Sequence, residues 1–149
     1  MQDLDSLKKL REETGAGVMD CQRALDEFSG DIEKAKEKLA RLGMEKAAKK
    51  ADREIKAGLV DAYLHTTGRV GAIVALGCET DFVARTEDFK KLAREVAMQA
   101  AAMKPKDTED LLSQAYIRDA SKTIKDLIIA LTAKVGENIV VKEFKVLEI

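Results

Sequence analysis

A chain of 149 residues, 46% of them apolar, can bury a core unaided as one or two small domains. With 26 Lys and Arg against 27 Asp and Glu, the net charge of −1 argues against a dedicated nucleic-acid binder, whose surface needs a cationic excess to neutralise phosphates. Cys21 and Cys78 form neither a CxxC pair nor a disulfide framework and sit in apolar patterns, so buried thiols are expected. No apolar run approaches the roughly 20 residues of a membrane span, and the opening Met-Gln-Asp-Leu-Asp is acidic rather than signal-like. A soluble, cytoplasmic protein without membrane contact is the expectation.

Residues 3–43 read as three short helices. Asp3 can cap the first, whose apolar face is Leu4, Leu7 and Leu10, and Thr14-Gly15-Ala16-Gly17 breaks it. The second carries Val18, Cys21, Leu25 and Phe28 at helical spacing. Ser29-Gly30-Asp31 then supplies a turn and a cap, and the third buries Ile32, Ala35, Leu39 and Leu42 before stopping at Gly43. Helices this short must pack together, so residues 1–43 are expected as one small bundle, which resembles the ubiquitin-associated type of three-helix module. Residues 44–57 follow as a helical basic linker with Lys46, Lys49, Lys50 and Arg53 on one face.

From Gly58 the period changes to two, opening an α+β core domain over residues 58–149. Val60, Ala62 and Leu64 alternate with polar neighbours in one strand, Thr66-Thr67-Gly68 turns the chain, and Val70, Ala72, Val74, Leu76 and Cys78 line one face of the returning strand. On the other face Gly71, Ala75 and Gly77 flank Ile73 and leave room for a close approach. Thr86 caps a helix with the stripe Phe89, Leu92, Val96, Ala100 and Met103, closed by Pro105. Residues 111–118 fit a short helix or an extended segment. Ser121 starts a further helix with Ile124, Leu127, Ile128, Leu131 and Val135 inward, ending at Gly136. Residues 138–149 form the last strand, with a phase shift that suggests a bulge near Lys142 and Glu143. The sum is a three-stranded antiparallel sheet packed with helices.

Catalytic chemistry finds little support. His65 is the only histidine and has no ligand-spaced partners, so no metal site is expected; there is no G-x-S-x-G elbow and no phosphate-cradling G-x-x-x-x-G-K-[ST]. No cofactor is called for. A binding protein is the default.

The most informative stretch is Gly77-Cys-Glu-Thr-Asp-Phe-Val-Ala-Arg-Thr86, where a strand hands over to a helix and sets an acid beside a large ring. Three separated stretches resemble elongation factor Ts, the family of nucleotide-exchange factors for the translational GTPase elongation factor Tu. They are Leu10-Arg-Glu-Glu-Thr-Gly-Ala-Gly-Val-Met-Asp-Cys21, then Arg69-Val-Gly71 leading into Cys78-Glu-Thr-Asp-Phe-Val-Ala-Arg85, and Gly136-Glu-Asn-Ile-Val140. The resemblance implies a guanine-nucleotide exchange factor without covalent chemistry, which binds elongation factor Tu one-to-one and disturbs its Mg²⁺ and phosphate site. It implies Asp81 and Phe82 as a wedge positioned by Thr80 and Val83, and Val18 and Met19 as an apolar grip beside Leu10, Arg11 and Asp20. Neighbours on a helix point about 100° apart, so Val18 and Met19 cannot both face inward. Phe82 could instead be a core aromatic, and Arg85 a local ion-pair partner.

Two departures stand out. Gln22 occupies a position where the family often has Lys. Only a few residues separate Pro105 from Leu111, where the family usually carries a second sheet subdomain and a helical hairpin, so a monomer is expected when unbound. The competing reading is a nucleic-acid or ribosome-binding adaptor using the Lys46–Arg53 face.

Overall fold

The computed structural model describes residues 3–149; Met1 and Gln2, which open the acidic terminus and the expected bundle, lie outside the described residues. In chain order the elements are α1 (Leu4–Thr14), α2 (Val18–Glu27), α3 (Ile32–Lys50), β1 (Ala57–Leu64), β2 (Val70–Cys78), α4 (Asp81–Ala84), α5 (Glu87–Met103), α6 (Thr108–Ser113), β3 (Ala115–Tyr116), β4 (Asp119–Thr123), α7 (Ile124–Val135) and β5 (Val140–Glu148). The chain is α+β, with a helical bundle followed by a three-stranded antiparallel sheet. It divides into two compact units: residues up to Ala51 together with Ile129–Gly136, and Asp52–Ile128 together with Glu137–Ile149.

In the first unit α1 and α3 start at side-chain caps, whereas α2 starts at Gly17 without one. Asp3 accepts from the amide of Asp5 at the head of α1, and Asp31 accepts from that of Lys34 at the head of α3. Gly15 ends α1 in the left-handed region, at φ 67°. Leu10, Cys21, Ala24, Leu25, Ala35 and Leu39 form the core, flanked by Leu7, Ala16, Ile32 and Leu42. Each fully buried leucine contributes about 1.5–3 kcal/mol, so the set can hold three short helices together. The expected stop at Gly43 is corrected: α3 runs through it to Lys50 as one helix. A Cβ at Gly43 would lie 3.8 Å from side-chain atoms of both Ile129 and Ala133, so the glycine sits against the second half of α7. These are ordinary van der Waals distances, and the helix carries the roughly 1 kcal/mol that a glycine costs against alanine.

In the second unit the sheet order is β1-β2-β5, antiparallel throughout. Ala72, Val74, Leu76 and Cys78 of β2 are buried, and α5, whose Phe89, Val96 and Ala97 are buried, packs on all three strands. The expected bulge is present at Lys142: Ala75 pairs with Glu143 and Leu76 with Val141, so Lys142 is the extra residue. Met103, expected in the stripe of α5, is half exposed. On β1 the apolar half of the alternation, Val60 and Leu64, faces outward, while Leu59, Asp61 and Tyr63 pair beside the buried side of β2. The open space above Gly77 is taken by the chain's own Ile55, whose methyl would lie 2.5 Å from an added Cβ.

The ambiguous segment is both things in turn, a short helix α6 and then strand β3, which pairs with β4 in a hairpin. Helix α7 therefore begins at Ile124 rather than Ser121, and Thr123 closes a reciprocal cap with Asp126 in which each backbone amide meets the other's side chain. Gln99, fully buried, anchors the hairpin: its amide donates to Gln114 and to the Ala115 carbonyl and accepts from the Ile117 amide.

Candidate functional site: the Thr80–Arg85 corner

Strand β2 ends at Cys78, and the chain turns through Glu79 and Thr80 into the single turn α4. The Thr80 hydroxyl accepts from the Val83 amide at 3.4 Å and caps that turn; the Thr86 hydroxyl, at its far end, donates to the Val83 carbonyl at 2.7 Å and caps α5. Between the two caps Val83 and Ala84 point into the protein and are buried. Asp81 and Phe82 point out. Phe82 is 82% exposed, against 0% for Phe89 seven residues further on, so the aromatic of the corner is not a core residue. A ring of that size held in water on a capped turn has no intramolecular reason to be there.

The corner is tied down by the start of the last segment. One carboxylate oxygen of Glu137 accepts from the amides of Glu79 (3.1 Å) and Thr80 (3.0 Å), and the other accepts from the Thr80 hydroxyl (2.7 Å). In return Glu79 accepts from the Asn138 amide at 2.8 Å and lies 3.6 Å from the Arg53 guanidinium, while the Asn138 side chain donates to the Arg53 carbonyl. Cys78, underneath, donates to the Thr80 carbonyl. Burial, and next the negative charge of Glu137, push its thiol pKa up, so Cys78 is a neutral packing residue. Sequence analysis assigned Glu79 and Glu137 no individual role, although both lie inside stretches that resemble the family, residues 78–85 and 136–140.

The residues expected in the N-terminal module separate into two groups. Leu10 is fully buried in the bundle and supports the surface rather than forming it. Val18 and Met19 are both accessible, at 40% and 60%, so Val18 faces outward where the apolar spacing placed it inward and Ala24 fills the core instead. Asp20 pairs with Lys46 at 2.8 Å. Arg11 is exposed and lines a cleft of about 320 Å³ with Lys8, Glu12, Gly15, Ala16 and Lys134.

The basic face is not a continuous stripe. Helix α3 ends at Lys50, so Arg53 lies beyond it in a turn, and Lys46 is already paired with Asp20. Among the described residues no group of His, Cys, Asp and Glu is arranged to hold a metal, and no helix is long and apolar enough to cross a membrane. A cleft of about 420 Å³ between residues 104–108 and β5 contains none of the expected site residues.

Residues 79–149, which begin at the corner, match the family model described as Elongation factor TS. The chain is 44% identical to elongation factor Ts of Thermotoga neapolitana, covering 95% of this chain and 93% of that protein. It is 42% identical to elongation factor Ts of Thermotoga maritima over 98% and 95%, and 42% identical to that of Thermoanaerobacter sp. (strain X514) over 93% and 90%. The last alignment runs over 184 positions, longer than this 149-residue chain, so the relative carries segments absent here. On this identity and coverage, the chain belongs to the elongation factor Ts family.

Proposed function

We propose that this protein is a guanine-nucleotide exchange factor that binds elongation factor Tu in its GDP state and promotes GDP release and GTP rebinding during translation elongation. Membership of the family supports the exchange role. The observation that carries the mechanism is the corner: an acid and an 82% exposed ring on a turn capped at both ends.

A GTPase holds GDP because phosphates, Mg²⁺ and switch loops stabilise one another. A protein that binds the nucleotide-free conformation better than the GDP-bound one weakens GDP by the factor by which GDP weakens it. Phe82 supplies apolar area to enter a pocket beside the Mg²⁺ site, and Asp81 brings a negative charge that competes for the surroundings of the metal. Thr80 and the buried Val83 hold the two in place. Val18 and Met19, with Arg11 and Asp20 beside them and Leu10 beneath, form a second contact. No bond is made or broken, and the work is done in the cytoplasm where elongation takes place. With the chain between Pro105 and Leu111 so short, the free protein is a monomer and the complex is one-to-one.

The test is release of fluorescent GDP from elongation factor Tu. Substoichiometric protein should accelerate release, because each molecule is recycled. A release rate equal to the spontaneous one, with binding demonstrated separately, refutes the exchange role. Light scattering showing a stable dimer at micromolar concentration refutes the stoichiometry.

A further inference from the structure

We infer that Glu137 is a positioning residue, whose carboxylate fixes the Thr80–Phe82 corner in the conformation that presents Asp81 and Phe82. Three donors converge on this one side chain: the amides of Glu79 and Thr80 and the hydroxyl of Thr80. The hydroxyl bond matters most. By giving its proton to Glu137, Thr80 turns its lone pairs toward the Val83 amide and so caps α4, the turn that carries Asp81 and Phe82. An ionised carboxylate is the group suited to this place, since it accepts at both oxygens and its bonds are the stronger, charge-assisted kind.

The clamp is reciprocal. Glu79 holds the Asn138 amide while Glu137 holds the Glu79 and Thr80 amides, so the two backbone segments are fixed in register by side chains although they exchange no strand hydrogen bonds there. Asn138 adds a bond to the Arg53 carbonyl, which brings in a third segment. Truncating Glu137 leaves two amides and a hydroxyl without their acceptor and frees the hydroxyl to rotate away from Val83. The corner then samples several conformations, and a contact surface that samples several must be reordered on binding.

This inference rests on the exchange reading for its consequence, but its core can be tested without the partner. The chain contains no tryptophan, so Phe82→Trp introduces a single one at the corner, which excitation at the red edge separates from the two tyrosines. In that background, time-resolved anisotropy should show a wider local wobble on Glu137→Ala, partial recovery on Glu137→Gln, which keeps one acceptor oxygen, and no change on Val96→Ala. Val96 is buried on α5, so its variant controls for lost stability alone.

Without the probe, Glu137→Ala should lower exchange by at least about tenfold. That loss should appear as a raised concentration for half-maximal exchange, beyond any loss in Val96→Ala. Unchanged wobble in a folded Glu137→Ala protein overturns the proposal, and so does an equal increase in the Val96→Ala control. If wobble widens as expected while the wild-type protein fails to exchange nucleotide, positioning stands and the exchange role falls.

Discussion

Replacing Phe82 by alanine separates a contact residue from a packing residue, and the structure sets both magnitudes. An aromatic side chain offers about 200 Å² for burial, and at 82% exposure about a fifth of Phe82 is shielded in the free protein. At about 25 cal/mol per Å², the shielded part is worth about 1 kcal/mol, an upper bound on the stability lost by Phe82→Ala. Phe89 is fully buried, and Phe89→Ala should cost about 3–5 kcal/mol through lost burial and the cavity left behind. Binding reverses the order. If the remaining area of Phe82 is buried in a partner, the transfer term reaches about 4 kcal/mol, and truncating such an anchor costs about 2 kcal/mol or more. Two kcal/mol corresponds to about a 30-fold rise in the concentration giving half-maximal GDP release. A urea melt and an exchange titration on both variants decide the matter. A Phe82→Ala protein that is destabilised by 3 kcal/mol or more, or that melts normally and exchanges at the wild-type level, refutes the reasoning. Asp81→Ala, which removes a charge and almost no packing, should melt like wild type and lose exchange activity as well.

Three further outcomes follow from other parts of the molecule. Burial and the hydrogen bond to Glu95 push the Tyr116 pKa up to about 12, so the folded state keeps a proton that the unfolded phenol gives up near pH 10. The stability contributed by this group should be constant below about pH 10 and fall as pH rises towards 12, and that fall should disappear in Tyr116→Phe; urea midpoints that follow the same pH profile in both proteins count against it. Gly58 sits at φ 147°, where an added Cβ would lie 2.2 Å from the Leu76 carbonyl oxygen, so Gly58→Ala should destabilise by more than about 1 kcal/mol, and a neutral melt contradicts that geometry. Cys21 and Cys78 are fully buried and their thiol pKa values are pushed up by burial, so a thiol reagent at pH 8 should label neither until denaturant is added, and rapid labelling of one equivalent in the native state is the contrary result.

What could be read in the residues was whatever local chemistry decides. Thr86 caps α5, Asp3 and Asp31 cap α1 and α3, and the phase shift marks the bulge at Lys142, because each is settled within a few residues of itself. Gly43 misled because a lone glycine costs a helix only about 1 kcal/mol, and the helix formers on both sides of it carry α3 through to Lys50. Ser121 misled in the same way: the hairpin β3–β4 is held by the buried Gln99 amide, which nothing nearby announces. On β1 an apolar alternation identifies a strand but not which face turns inward. At the candidate site the exposed pair, Asp81 and Phe82, was legible from the strand-to-helix handover. The clamp beneath it was not: Glu137 lies in a stretch that resembles the family, but its partners are 57 and 58 residues away and no local pattern pairs them.

The distance in sequence between the corner and its clamp has a consequence in time. Glu137 lies 57 residues after Thr80, and β5, which follows it, completes the sheet on the far side of β2. At about 5–20 residues per second, synthesis of a chain delivers Thr80 roughly 3–11 seconds before Glu137. During that interval β1 and β2 can pair as a hairpin, while the turn that follows has its acid and ring but no anchor. On the positioning inferred for Glu137, a nascent or prematurely released chain should compete poorly with the finished one for elongation factor Tu.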